Sequence, residues 1–213
     1  EEDVLNAVRF WGWMRRPQRW QEVQQKHLDV LHAFFGQYEQ YYAIDGGKFP
    51  SRALVQGRKN GIVYSITAGM SQLPMPKTEL TYLEKTPLHN RTELGFAAKE
   101  HFIGLPEAMA PRISAAAACP WEELTMLDHG HTLDIADIPG FPAMLLVDPL
   151  RVEGMEHPEY PGFYGSRINL LWLVPVTAGE FTFAKQHGAE KLLKRASNPA
   201  QLHIFDGTPK FGG

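Results

Sequence analysis

The feature that most constrains the fold is an almost uncharged stretch, INLLWLVPVTAGEF, at residues 168–181. Its first seven residues are apolar almost without interruption, which is typical of a strand that other layers cover on both faces. Pro175 has no backbone N–H, so we expect it to end the strand. Thr177 and Glu180 have the spacing of a capping box, which predicts a helix running past Phe181. The stretch therefore predicts a central strand followed directly by a helix.

Helix and strand signals alternate through the rest of the chain. Apolar residues at spacings of three and four predict a helix from Pro17 to a stop at Gly36. Asn60-Gly61 predicts a tight hairpin turn between strands at 52–56 and 62–67, because both residues accept positive φ angles. The interspersed order without a regular βαβ repeat predicts an α+β fold with a mixed or antiparallel sheet and packed helices.

Other segments give weaker signals. An alanine-rich segment at 106–118 predicts a helix that Cys119-Pro120 ends. Three prolines between residues 74 and 87 disfavour regular structure there. Further strands are predicted at residues 92–97, 133–138 and 144–147.

Composition narrows the classes of function. The 213 residues suffice for one substantial core, so we predict a single domain over residues 1–213, with 1–16 as an N-terminal extension. A formal net charge of -3 provides no general field for a phosphate backbone, so nucleic acid is not an expected partner. No apolar run approaches the roughly 20 residues that cross a membrane. Cys119 is the only cysteine, which excludes an intrachain disulfide and favours a cytoplasmic protein.

The strongest metal-ligand signal is Asp128-His129-Gly130-His131 followed by Asp134. Imidazole and carboxylate are good ligands for zinc and other divalent ions. In a strand, however, His129 and His131 share one face and Asp134 falls on the other, so three ligands would need an irregular backbone. A loop leading into a strand explains the spacing more simply, and a metal-dependent hydrolase remains the alternative hypothesis.

Nucleophile signals are weak. Cys119 follows four alanines and fits a small buried apolar group better than an activated thiol. Ser71, in Gly69-Met70-Ser71, lacks the Gly-x-Ser-x-Gly pattern that exposes a catalytic serine. Arg91 and Glu93 share a strand face, where a paired charge that anchors the strand is the expected role. The residues therefore predict no coherent catalytic set.

Several short motifs, taken in order from Leu28 to Arg195, resemble the Suppressor of fused (SUFU-like) domain family. They include Phe35-Gly36, Ser65-Ile66-Thr67-Ala68-Gly69-Met70-Ser71, Arg91-Thr92-Glu93-Leu94, Gly130-His131-Thr132, Leu145-Leu146-Val147-Asp148-Pro149 and Leu173-Val174-Pro175-Val176-Thr177 with Glu180.

The resemblance implies a compact domain that holds other proteins and carries no catalytic residue. It implies transcription-factor partners of the Gli type for eukaryotic relatives and toxin–immunity systems for bacterial ones, and the chain length is closer to the single-domain bacterial type. His131 then belongs to a scaffold motif, which weakens the metal hypothesis. The resemblance implies no cofactor and carries no binding residue over.

The leading hypothesis is thus a non-enzymatic protein-binding domain, in its most specific form an immunity protein that occludes a toxin. Aromatic anchors within a polar rim are common at protein interfaces. The segment from Glu153 to Tyr164 has that composition, so the contact surface is predicted at Glu156, Tyr160, Phe163 and Tyr164. A small-molecule binder remains a third possibility, which requires an apolar pocket with a few polar groups.

Overall fold

The computed structural model describes residues 17–46, 51–102, 104–136, 138–163 and 165–212, so the predicted N-terminal extension lies outside the described residues. The helices are α1 (Pro17–Phe35), α2 (Thr78–Tyr82), α3 (Leu105–Glu122), α4 (Ala178–His187) and α5 (Ala189–Leu193). The strands are β1 (Tyr38–Ala43), β2 (Ala53–Lys59), β3 (Ile62–Ala68), β4 (Arg91–Lys99), β5 (Thr132–Leu133), β6 (Ala143–Val147), β7 (Ile168–Val176) and β8 (Ile204–Phe205).

The strands form one mixed sheet in the order β1-β2-β3-β4-β7-β6-β5. Strand β4 runs parallel to β7 over its first half and parallel to β8 at Ala97 and Ala98, whereas the other pairs are antiparallel. Parallel neighbours need long crossovers, and the connection from β4 to β7 contains α3, β5 and β6. The predicted α+β class with a mixed sheet is confirmed.

Strand β7 is the central strand that its sequence predicts. All nine residues are buried, and it pairs with β4 on one side and β6 on the other. The predicted stop at Pro175 is wrong, because Pro175 and Val176 still pair with β6. Pairing with β4 ends at Trp172, so among the described strands β7 pairs there only with β6. On the side of β7 away from β6 there is then no described strand to which a backbone N–H could donate. A proline whose nitrogen faces that side therefore loses no hydrogen bond of the sheet.

Two local predictions are confirmed in detail. Thr177 Oγ1 accepts from the Glu180 N–H, and Glu180 Oε2 accepts from the Thr177 N–H at 2.6 Å, which is a complete capping box. Asn60 and Gly61 have φ angles of 53° and 74° between the antiparallel strands β2 and β3. Both signals depend on residues close together in sequence, so tertiary packing does not alter them.

Three predicted elements differ from the structure. The strand predicted at 133–138 is only Thr132–Leu133, because Ile138 instead bridges Phe141 across a tight Pro139-Gly140 turn. Helix α3 continues past Pro120 to Glu122, since its apolar face is buried in the core and offsets the lost backbone hydrogen bond. The proline-rich segment contains the short helix α2 followed by a 3-10 turn at Leu83–Leu88.

The sheet carries a hydrophobic cluster on each face. One cluster joins α1, α4 and α5 to the sheet through residues such as Leu31, Phe35, Ala184, Leu192 and Trp172. The other joins α3 through residues such as Met109, Ile113 and Ala117. Helices on both faces explain why β7 needs no alternation of polar and apolar residues. In the part of the chain that the structure describes, no helix is long and apolar enough to cross a membrane.

Candidate functional site

The loop between β6 and β7 runs alongside α1, and together they enclose a groove. Its first cavity, of about 320 Å³, lies between Val23, His27 and Val30 on α1 and Tyr160 and Phe163 on the loop. A second cavity, of about 570 Å³, adjoins it and is lined by Val30, Asp29, Phe34, Lys59, His157 and Glu159. Because the two cavities share Asp29 and Val30, we treat them as one feature, the α1 groove.

The loop is held in place at Glu156. The Trp172 Nε1–H donates to the backbone oxygen of Glu156 at 3.1 Å, which ties the loop to the central strand. The Glu156 side chain is exposed and lies 3.3 Å from Lys59 Nζ. That ammonium also lies 4.8 Å from the centre of the Phe34 ring, within cation–π distance. One rim of the groove is therefore ordered by contacts that connect α1, β2 and the loop.

His27 forms part of the groove floor and is buried. Its Nδ1 lies 2.9 Å from the Val23 carbonyl oxygen. Its Nε2 lies 2.9 Å from Ser71 Oγ and 3.2 Å from Glu93 Oε1. Burial by itself lowers the pKa of His27, but the hydrogen bond and negative charge of Glu93 outweigh burial and raise that pKa above 6.5.

Glu93 is the centre of the network beneath the groove and has no exposed surface. Thr67 Oγ1 donates to it at 2.6 Å, and Ser71 Oγ donates at 2.7 Å. The backbone N–H groups of Gly69 and Ser71 donate at 3.0 Å each. Burial raises the pKa of Glu93, but His27 and the two hydroxyls outweigh burial and lower the pKa below 4.5. The carboxylate is therefore charged, and hydrogen-bond donors of the protein take the place of water around it.

Ser71, His27 and Glu93 are the three residue types of a nucleophile triad, but their geometry is not that of one. In a triad the carboxylate orients the histidine through the nitrogen opposite the nucleophile. Here Glu93 and Ser71 meet the same nitrogen of His27, and the Ser71 hydroxyl donates to Glu93. Ser71 is also fully buried. The network therefore fastens α1 to β4 and does not activate a nucleophile.

The structure brings two of the four predicted contact residues to the groove. Phe163 is half-buried on its wall, and the Arg91 guanidinium lies 5.0 Å from the centre of its ring. Tyr160 lies on the wall with its ring 5.5 Å from that of His27. The Tyr160 hydroxyl is buried with no hydrogen-bond partner among the described residues, so Tyr160 is not a protruding anchor. Glu156 is at the rim, and Tyr164 lies outside the described residues.

The residues of the alternative metal-hydrolase hypothesis, His129, His131 and Asp134, do not form a metal site. His129 Nδ1 accepts from the Asp148 N–H at 3.0 Å, and its Nε2 lies 3.4 Å from Glu190 Oε1, so both ring nitrogens are engaged. His131 and Asp134 are exposed. Across the described ranges, no three His, Cys, Asp or Glu side chains are grouped so that they could hold a metal ion. Burial also raises the pKa of the Cys119 thiol, which is the opposite of activation.

Sequence reasoning missed the helical wall of the groove and the network below it. His27 lies within the apolar stripe of α1, where a histidine is easily taken for a core residue. Glu93 was noted for a local pair with Arg91, but the Arg91 Nη1–H groups donate to the carbonyls of Ser71 and Gln72. The one usable signal was a glutamate directly before the apolar and small residues 94–98 of the same strand, because a buried carboxylate needs a partner.

The comparisons with known proteins agree with the observed architecture. Residues 25–208 match the family described as Suppressor of fused protein (SUFU). A crystal structure of a putative SUFU homologue from Neisseria gonorrhoeae FA 1090 has a TM-score of 0.52 at 17% identity, covering 82% of this chain and 88% of that one. A chain of the Sufu–Fu complex crystal structure has a TM-score of 0.53 at 12% identity, covering 88% of this chain and 91% of that one.

At these identities the two structures are evidence for the shared fold. A search of curated proteins finds no match. The family match covers most of the chain, so the resemblance noted in the sequence is confirmed. The protein belongs to the Suppressor of fused family.

Proposed function

We propose that this chain is a non-enzymatic protein-binding domain whose α1 groove holds a segment of a partner protein. The observation that carries the proposal is the groove itself, which has an aromatic and aliphatic first cavity next to a more polar second cavity. Family membership supports it, and a chain of similar fold is part of a Sufu–Fu complex. The proposal takes residues 1–213 as one domain that acts in the cytoplasm.

The lining of the groove indicates the chemistry of the partner segment. Val30 and Phe163 offer apolar surface in the first cavity, which suits one apolar side chain of the partner. The second cavity is lined by the carboxylates of Asp29 and Glu159 and by Lys59, whose charge Glu156 already balances. A basic residue next to the apolar anchor therefore fits the second cavity.

The most specific form of the proposal is an immunity protein that occludes a toxin. The bacterial relatives implied by the sequence resemblance support this form, and a basic toxin surface would complement the acidic end of the groove. A non-enzymatic role is supported by the burial of the polar network. Ser71 and Glu93 hold α1 on the sheet, and neither side chain is accessible to solvent or to a substrate.

The test is selection of binding segments from a random-peptide display library on the purified protein. We expect enriched peptides that contain an apolar residue next to a basic one. Val30→Arg places a charge where the two cavities meet, and we expect about 100-fold weaker binding of these peptides. Gln186→Arg adds the same charge on an exposed position of α4 and serves as the matched control.

Two outcomes would overturn the proposal. One is a selection that enriches no peptide at all. The other is enriched peptides whose affinities are equally unaffected by Val30→Arg and Gln186→Arg, since binding would then lie elsewhere.

A further inference from the structure

The hydrogen bonds of His27 require a proton on each ring nitrogen. A carbonyl oxygen only accepts, so Nδ1 must donate to Val23. Ser71 Oγ has one proton, which it donates to Glu93 Oε1 at 2.7 Å. The Ser71 oxygen therefore offers only lone pairs to Nε2, and the nearby Glu93 oxygen is an acceptor as well. This geometry makes His27 an imidazolium cation and the His27–Glu93 contact a buried ion pair.

The groups that face this pair come from every neighbouring element. Glu93 from β4 is the negative partner. Arg52, directly before β2, is close enough for the charge of Glu93 to act on its guanidinium. Arg91 binds the carbonyl of Ser71 from the same side of β4. From the loop, Tyr160 faces His27 as a neutral phenol, because burial and the charge of Glu93 raise the pKa of its hydroxyl well above 10.

Loss of one proton from His27 breaks this arrangement. Glu93 keeps the donors of Thr67, Gly69 and the Ser71 backbone, so the carboxylate stays charged. Nε2 then becomes an acceptor and faces the Glu93 oxygen at 3.2 Å without a proton between them. The single Ser71 hydroxyl proton can serve Nε2 or Glu93 but not both, so the network is one proton short. Helix α1 loses its charged attachment to β4, and the attachment lies directly under the wall formed by Tyr160. Breaking one partner of a buried ion pair is costly because the other charge stays buried.

We propose that protonation of His27 controls the docking of α1 against β4, so that the α1 groove keeps its binding shape only while His27 is a cation. The docking of α1 is a property of the free protein. The control of binding rests in addition on the proposed function of the groove. Lys26 and Asp29 on α1 border the first cavity on either side of His27 in sequence, so their charges accompany the helix if it moves.

The first test measures the free protein by NMR, with nitrogen-15 in the histidine rings. We expect both ring nitrogens of His27 to be protonated at about pH 7, where an unperturbed imidazole with a pKa of about 6.5 is mostly neutral. On raising the pH, the methyl signals of Val30 and Ile168 in the groove should shift with the midpoint of His27. A neutral His27 ring at about pH 7, or groove methyls that ignore its titration, would overturn the proposal.

Variants assign the effect to the ion pair. In His27→Gln the groove methyls should lose their pH dependence, whereas His32→Gln, which removes an exposed histidine from the same helix, should preserve it. Glu93→Gln should lower the midpoint of His27 below that of an unperturbed imidazole. Ser71→Ala is the milder second variant, and because Glu93 remains, we expect His27 to stay cationic in it. Equal behaviour of His27→Gln and His32→Gln would contradict the assignment.

The second test uses a peptide selected on the groove. Its affinity should fall about tenfold or more as His27 is titrated, and this fall should be absent in His27→Gln. A peptide whose affinity does not change through that titration would overturn the control of binding and leave the proposed function standing. A third outcome is that the groove methyl signals shift with the titration of His27 while the selection enriches no peptide. This would support control of α1 docking by His27 and count against the proposed function.

Discussion

The indole ring of Trp172 packs against the backbone of Gly95, its register partner on the neighbouring parallel strand. A Cβ atom at Gly95 would lie 2.5 Å from Cζ3 and 2.6 Å from Cε3 of the Trp172 ring. Both residues are buried, and the indole N–H is fixed by its bond to the Glu156 carbonyl. The same contact therefore packs the centre of the sheet and holds the loop that forms one wall of the groove.

Gly95→Ala should destabilise the protein by about 3 kcal/mol, because the large aromatic ring has no room to shift in a packed core. Urea unfolding followed by tryptophan fluorescence measures the change. Gly179→Ala is the matched control, since a Cβ there meets nothing within 4 Å and the position lies in the first turn of α4. We expect Gly179→Ala to be neutral or slightly stabilising. Equal midpoints for both variants would refute the packing argument.

The parts of the fold that the sequence predicted are those set by nearby residues. The apolar run of β7, the Asn60-Gly61 turn and the Thr177–Glu180 capping box each carry a signal within a few positions. Pairing of β8 with β4 carries no such signal, because β8 is two residues long and joins a strand roughly one hundred positions earlier.

In the candidate site too, features with a local sequence signal differ from features that depend on distant contacts. The composition of residues 153–164 drew attention to the loop in which Phe163 lines the first cavity, since aromatic residues in a long loop are a local observation. The wall from α1 and the pairing of His27 with Glu93 depend on how a helix packs on a sheet, and the two residues are far apart in sequence. Tyr160 shows the limit of composition, because its hydroxyl points inward although the segment is polar.

Glu180 connects the start of α4 to the C-terminal segment. Its Oε2 accepts from the Thr177 N–H, and its Oε1 accepts from the Phe211 N–H at 3.1 Å. Thr177→Ala removes one cap and should cost about 1 kcal/mol. Glu180→Ala leaves two backbone donors without their acceptor, so we expect a loss of about 2 to 3 kcal/mol.

Amide hydrogen exchange separates these two roles of Glu180. The Phe211 amide should lose protection in Glu180→Ala and retain it in Thr177→Ala. Phe211 packs in the core cluster beside α5, so its amide is otherwise expected to exchange slowly. Loss of Phe211 protection in both variants would show that the whole terminus loosens with the helix and that Glu180 has no separate role.

His203 is a second buried histidine with the opposite electrostatics to His27. Its ring stacks on Trp172 at 4.8 Å between centroids, and neither ring nitrogen has a hydrogen-bond partner among the described residues. Burial, assisted by the positive charge of Lys210, lowers the pKa of His203 from 6.5 to about 4. The native state therefore resists protonation at a position where the unfolded chain accepts it.

This difference predicts loss of stability on acidification. The contribution of neutral His203 is present above pH 6.5 and is lost as the pH falls towards about 4. A shift of that size corresponds to about 3 kcal/mol. His203→Phe keeps the stacking on Trp172 and removes both the titrating imidazole and its unpartnered nitrogens. The fall in stability on acidification, here called the acid limb, should therefore be smaller in this variant, and stability at neutral pH should rise by about 1 kcal/mol.

Urea unfolding of the wild type and His203→Phe at several pH values measures this effect. His32→Phe is the control, because His32 is exposed and its replacement should leave the acid limb in place. His27 acts at the other end of the pH range: because its pKa is raised, its contribution is present below 6.5 and is lost at higher pH. An acid limb that persists unchanged in His203→Phe would show that another group, and not this buried imidazole, takes up the proton.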